Sequence, residues 1–275
     1  MQIFSAAVFS LLAFASSLEN VSAQMPRRGD MSQFDFEDYN GVITPEIAGP
    51  CADYKPGEDD LQAFDFIRRF KLDVIEREYP GVSKVRGSNR VQSAYRLSKD
   101  ADLNVPTRDI FPMGLPDQFS FITTFRQRKV SKIPWDIIKI ADVQGRTQFA
   151  ISIAPKDASV QFSIIDIEGN LMTTSFPESK ARCSCGNVLD DKWHKLHFGV
   201  FRDTITRIVL YVDCQEVGAQ ALDLPIGPID VNGRLVIGKT QGTRGKSVLI
   251  DLQWMVMNCD PTRPERETCD ELPVS

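Results

Sequence analysis

Two runs of alternating apolar residues constrain this chain more than any other feature: Leu196, Phe198 and Val200, then Ile208, Leu210, Val212 and Cys214. Successive side chains of a strand point to opposite faces, so each run lines one face. The polar turn signal Asp203-Thr204 lies between them and folds one run back on the other. The pattern predicts one hairpin of an antiparallel sandwich. It opens on Asp191-Lys192-Trp193-His194-Lys195, and Trp193 is expected, with Trp254, to be a large apolar anchor of the core.

The same reading predicts ten strands, over 91–97, 119–127, 135–142, 147–154, 159–167, 171–176, 193–202, 206–214, 234–239 and 247–257. Turn signals separate them at Gln144-Gly145, Glu168-Gly169-Asn170, Asn232-Gly233 and Gly242 to Gly245. Strands at hairpin spacing, with no Pro/Ser-rich linker, predict one all-β domain: a two-sheet antiparallel jelly-roll sandwich. A short capped helix is expected at 59–64, where Asp59 and Asp60 precede Leu61 and Phe64. Residues 24–50 have no sustained period and read as a flexible amino-terminal arm.

Residues 3–18 are apolar apart from scattered Ser, too short to span a bilayer, and lead into Val21-Ser22-Ala23, so 1–23 is expected to be a removed signal peptide. No other stretch is long and apolar enough for a membrane helix, which points to a secreted, extracellular protein. The one N-glycosylation sequon, Asn20-Val21-Ser22, falls inside the signal. Six cysteines in a secreted chain imply disulfides, and spacing alone leaves 15 pairings open. Cys214 and Cys259 each end an apolar strand, the second running Ile250, Leu252, Trp254, Val256, so a shared core could bring them within bridging distance. Cys51 and Cys269 bracket the predicted domain.

The formal net charge of −5 disfavours nucleic-acid partners and a general affinity for polyanions. Local charge can still act. Arg126, Arg128, Lys129 and Lys132 form the densest basic cluster, at a strand end and its loop, and are the candidate glycosaminoglycan site, with Lys239, Arg244 and Lys246 next in line. Arg28-Gly29-Asp30, in the arm, is an integrin-type tripeptide. Cys183-Ser184-Cys185 lacks the ligand spacing of a zinc site, and His194 and His197, three apart on a strand, face opposite ways. No metal site and no cofactor are predicted, although Asp142, Asp157, Asp190 and Asp191 sit in loops of the kind that hold a structural calcium ion. Asp166 and Glu168 have the spacing of a glycosidase pair but run into the Gly169-Asn170 turn, and there is neither Gly-x-Ser-x-Gly nor His-Glu-x-x-His, so no enzyme is expected.

The Asp-x-x-Trp-His opening resembles laminin-G-like, or thrombospondin amino-terminal-like, modules. The likeness extends through Pro106-Thr107-Arg108, Gly114-Leu115-Pro116, Phe119-Ser120-Phe121, Thr123-Thr124-Phe125-Arg126, Val212-Asp213-Cys214, Gly227-Pro228-Ile229-Asp230, Leu252-Gln253-Trp254-Met255, Cys259-Asp260-Pro261 and Arg266-Glu267-Thr268-Cys269. Over roughly residues 50–273 these motifs resemble the amino-terminal globular domain of the type IX collagen alpha-1 chain, a fibril-associated collagen. The resemblance implies a laminin-G-like (concanavalin-like) sandwich over 51–275. It also implies Cys51–Cys269 and Cys214–Cys259 bridges, and a non-enzymatic role binding matrix proteins or collagens and heparan sulfate. The alternative is a secreted lectin-like or carbohydrate-active sandwich. Collagen chains carry Gly-X-Y repeats, which are absent from these 275 residues, and Cys183 and Cys185 match nothing in the family pattern.

Overall fold

A computed structural model describes residues 51, 53–55, 64–74, 79–177, 188–202, 204–242 and 245–273. The arm, the Arg28-Gly29-Asp30 tripeptide, Cys183, Cys185, Arg244 and most of the 59–64 helix lie outside them.

The chain forms β1 (Phe64–Asp65), α1 (Phe66–Arg69), β2 (Val82–Arg86), β3 (Ser93–Leu97), β4 (Leu103–Pro106), β5 (Phe119–Gln127), β6 (Trp135–Ala141) and β7 (Thr147–Ala154). It continues through β8 (Ser159–Ile165), β9 (Leu171–Pro177), β10 (Trp193–Arg202), β11 (Thr206–Val212), β12 (Gln215–Ala221), β13 (Arg234–Thr240), β14 (Ile250–Asn258) and α2 (Arg263–Arg266). Two antiparallel sheets result. The first runs β12-β11-β10-β5-β14-β3-β2, with β1 added to β14; the second runs β4-β13-β6-β7-β8-β9. All ten expected strands are present, within a few residues at each end. Phe64 belongs to a strand rather than a helix, and the capping acid is Asp65, whose Oδ1 accepts a hydrogen bond from the Arg68 amide at 3.2 Å.

The opening hairpin pairs Leu196 with Val212, Phe198 with Leu210 and Val200 with Ile208, so both apolar runs share the inner face. They meet Trp135, Ile138 and Ile140 of β6, Phe149, Ile151 and Ile153 of β7 and Phe162 and Ile164 of β8, all at most 1% exposed. Aromatic rings lock the two layers: Phe125 meets Trp135 edge-on at 5.8 Å between centroids, and Phe162 meets Phe198 at 5.5 Å.

Trp193 is buried, but on the outer face of the first sheet beside Arg126 rather than in the core between the sheets. Trp254 is 49% exposed, which corrects the same expectation of a core anchor. The cause is a β-bulge: the register of β14 against β5 shifts between Leu252 and Trp254. One extra residue reverses the alternation, so Met255 and Met257 fill the core where Trp254 and Val256 were expected. The buried Thr123 hydroxyl donates to the Trp254 carbonyl at 2.8 Å and pins the bulge.

The cysteine partners are exchanged relative to both the strand-end argument and the resemblance. Cys51 joins Cys259, and Cys214 joins Cys269. Cys214 does not continue the face of Val212. Asp213 and Cys214 form a two-residue turn between β11 and β12 with φ of 50° and 63°, the left-handed pair that a type I′ hairpin requires. The turn carries the sulfur away from the core, toward the segment after β14.

That segment, 259–273, returns across the outer face of the first sheet. Lys195 Nζ contacts Glu267 Oε2 at 2.9 Å, Glu271 Oε1 at 3.0 Å and the Thr268 carbonyl at 2.7 Å. Gly199 makes the crossing possible, since a Cβ there would lie 2.7 Å from the Pro261 carbonyl oxygen.

Candidate functional site

Beyond the crossing segment the outer face of the first sheet is open, and strand register assembles a polar row on it. Ser83, Arg96, Asp251, Arg126 and Trp193 stand side by side on β2, β3, β14, β5 and β10. Asp251 is fully buried in the middle. It receives Arg96 through two bonds, Nε to Oδ1 at 2.8 Å and Nη2 to Oδ2 at 3.0 Å. Arg126 Nη2 reaches Oδ2 at 2.5 Å, and Arg128 Nε approaches Oδ1 at 3.2 Å. Arg128 also donates from Nη2 to the Leu97 carbonyl at 2.6 Å, and the Arg126 guanidinium lies 5.1 Å from the centre of the Trp193 ring.

Burial alone would raise the Asp251 pKa, but the hydrogen bonds from Arg96 and Arg126 outweigh it and hold the carboxyl below its ordinary value. Burial, with Arg96 and Arg126 alongside, pulls the Arg128 guanidinium below its usual value against the opposing pull of Asp251. Three guanidiniums around one carboxylate leave a net positive charge, and their side chains stay 39%, 31% and 26% exposed. Such an array can accept an anionic group from solvent while Asp251 fixes its geometry.

The sequence-derived basic cluster therefore divides. Arg126 and Arg128 are committed to Asp251, whereas Lys129 and Lys132 are exposed in the loop after β5 and pair with no described acid. Arg96 belongs to the array but lies 30 residues upstream of Arg126; only the pairing of β14 with both β3 and β5 unites them. Trp254 adds an exposed ring beside the row, opposite Thr124.

The other candidates take structural roles. His194 is clasped between Asp213 and Asp190, Nδ1 to Oδ2 and Nε2 to Oδ1, each at 2.8 Å. Burial works against its charge, yet the two carboxylates win and raise its pKa. His197, on the opposite face, is fully enclosed, and burial together with nearby Lys195 pushes its pKa down to about 4. No three of Asp142, Asp157, Asp190 and Asp191 come within metal-binding reach of one another. Asp142 instead accepts the Gln144 and Arg146 amides at 2.9 and 2.8 Å and closes its own turn. Asp166 does the same with Glu168 and Asn170, at 2.8 and 2.9 Å.

The outer face of the second sheet carries a shallow groove of about 600 Å³. Lys139, Ala150, Ser163 and Thr173 follow one another across β6, β7, β8 and β9 along its floor.

No protein-family model matches the chain. It is 32% identical over 190 residues to the collagen alpha-1(XXI) chain of Xenopus laevis, covering 69% of this chain and 19% of that one. It is 30% identical over 214 residues to the human collagen alpha-1(XXI) chain, covering 78% of this chain and 21% of that one. The chain thus spans about a fifth of the length of these relatives. The human collagen alpha-1(XIX) chain is 29% identical over 167 residues, covering 60% of this chain and 14% of that one. The similarity is to collagen chains and does not single out type IX. Among solved structures, the binding domain of Paraclostridial Mosquitocidal Protein 1 superposes with a TM-score of 0.51 at 16% identity, covering 69% of this chain and 46% of that domain, a likeness of fold.

Proposed function

We propose that this chain is a non-enzymatic extracellular matrix interaction module, the amino-terminal sandwich of a fibril-associated collagen, secreted after removal of residues 1–23, with 24–50 as an arm and 51–275 as the domain. The observation that carries this reading is the similarity to collagen alpha-1 chains over 69% and 78% of the chain. Disulfides in the domain fit an oxidising compartment. Its partners are matrix proteins or collagens, and the surface for sulfated glycosaminoglycan is the open face of the first sheet: Arg96, Arg126 and Arg128, extended by Lys129 and Lys132.

Retention on immobilised heparin across a salt series tests the surface. The wild-type chain is expected to bind in low salt and to elute as the screening length shrinks toward about 8 Å. Reversal of the free cations, Lys129→Glu with Lys132→Glu, should weaken retention without changing the melting temperature. Arg128 is unsuited to that test, because it holds Asp251 and the Leu97 carbonyl. A wild-type chain that fails to bind in low salt would confine the module to protein partners.

The groove on the second sheet favours a second reading, a lectin-like role. Its polar floor would suit a saccharide, and glycan-array binding lost in Lys139→Ala would select it.

A further inference from the structure

One buried group on the outer face of β10 is used by nothing described so far. His197 is fully enclosed, and neither Nδ1 nor Nε2 hydrogen-bonds to a described residue. An orphaned buried polar group is destabilising, so its retention calls for an explanation. Ile122 and Tyr211 flank it on the neighbouring strands, with Lys195, Asp213 and Glu267 as the charged groups around it. The Cys214–Cys269 bridge lies beside it. A ring nitrogen of His197 and the two sulfurs fall within 4.8 Å of one another, the one such set of metal-type donors among the described residues.

We propose that this cluster has a second state: with the bridge reduced, Cys214, Cys269 and His197 form a three-donor zinc site that keeps the carboxy-terminal segment seated on the sheet. Two thiolates and an imidazole are the donor set that suits zinc and disfavours calcium or magnesium. The two Cα atoms are 6.0 Å apart, close enough for both sulfurs to reach one ion. Access also differs between the bridges. Cys214 and Cys269 are both half-buried, whereas in the other bridge Cys51 is half-buried and Cys259 fully buried, so the first bridge offers a reductant two partly exposed cysteines and the second only one.

The chemistry balances with a dithiol as reductant. The dithiol gives up two electrons and two protons and closes to its own disulfide, while the Cys214–Cys269 sulfur–sulfur bond opens to two thiols. Zinc then forms two bonds to sulfur and one to nitrogen, and the two thiol protons pass to solvent. The fourth position of the tetrahedron is left for water. The covalent clasp on the segment becomes a coordinate one, and the orphaned imidazole gains a partner.

The test uses the full chain carrying Cys183→Ser and Cys185→Ser, reduced with dithiothreitol, desalted without oxygen and titrated with Co(II), then Zn(II). One cobalt should bind per chain with thiolate-to-metal absorption in the near ultraviolet that zinc abolishes. The band should be missing from the oxidised chain and lost in His197→Gln. Alkylation and peptide mass mapping on the unsubstituted ligand set provide a second arm. Zinc should slow modification of Cys214 and Cys269 at least about tenfold and leave Cys51 and Cys259 unchanged. Cobalt absorption that survives His197→Gln, protection of Cys51 and Cys259 instead, no band from a reduced chain, or unfolding on reduction despite zinc would each overturn the proposal.

Discussion

Arg96 and Asp251 meet across β3 and β14 as a two-point ion pair, with both carboxylate oxygens of a fully buried side chain engaged by one guanidinium. Arg126 and Arg128 close on the same carboxylate. Asp251→Asn would leave three neighbouring cations uncompensated, and removing one partner of a buried pair costs about 3–5 kcal/mol. Denaturant unfolding should show a loss of that order. The sign with pH follows from the lowered pKa of Asp251. Its contribution is present above the unfolded value of about 3.9 and is lost as pH falls through the folded one, so acid unfolding should begin at higher pH in Arg96→Gln than in wild type.

His194 should produce the opposite trend. Its pKa is raised by Asp213 and Asp190 despite burial. Its stabilisation is complete below the unfolded value of about 6.5 and fades as pH rises through the folded value. Melting temperature should decline over that interval in wild type and stay flat in His194→Gln, measured in buffers of constant ionic strength.

Peptide mapping of the unreduced protein should recover Cys51 with Cys259 and Cys214 with Cys269. Cys269→Ser should cost about 2–5 kcal/mol, since the bridge closes a loop spanning 55 residues. Recovery of Cys214 with Cys259 would refute the positions of both bridges.

The two outer-face tryptophans should respond differently to truncation. Trp193 is buried and carries the Arg126 guanidinium, so Trp193→Ala should cost about 3–5 kcal/mol. Trp254→Ala should shift stability by less than about 1 kcal/mol, because half the ring already faces water. Paired chemical-denaturation curves distinguish them.

How far the fold could be read in advance depended on side-chain alternation. β5, β10 and β11 are long and set apolar residues at every second position, so their faces could be assigned directly. β12, Gln-Glu-Val-Gly-Ala-Gln-Ala, has one β-branched residue and no aromatic, and gives no strand signal of its own because its partner β11 rather than its composition holds it in the sheet. β2, Val-Ser-Lys-Val-Arg, sets its two valines three apart rather than two, and β4 and β1, four and two residues long, are too short for a period to show. At Trp254 the alternation points inward, but a bulge has no periodic signature and reverses it. The arginine array was half visible. Arg126 and Arg128 share a face by spacing, whereas Arg96 and Asp251 join them only through pairings that close over 125 and 155 residues. The cysteines failed for a related reason: strand ends were the visible cue, and the left-handed turn at Asp213-Cys214 redirects one sulfur out of that plane.

The Cys214–Cys269 bridge also determines where a mechanical load would travel. Tension applied beyond Cys269 would pass through sulfur into the β11–β12 turn, bypassing the peptide backbone of 260–268 and its ion pairs. The strands next to that turn would then carry the force along a hydrogen-bonded ladder, while Lys195 and Glu267 would hold their contact unstressed. The domain is thereby arranged so that a pull from its carboxy-terminal side loads the contacts of Glu271 and then reaches the sheet without first peeling away residues 260–268.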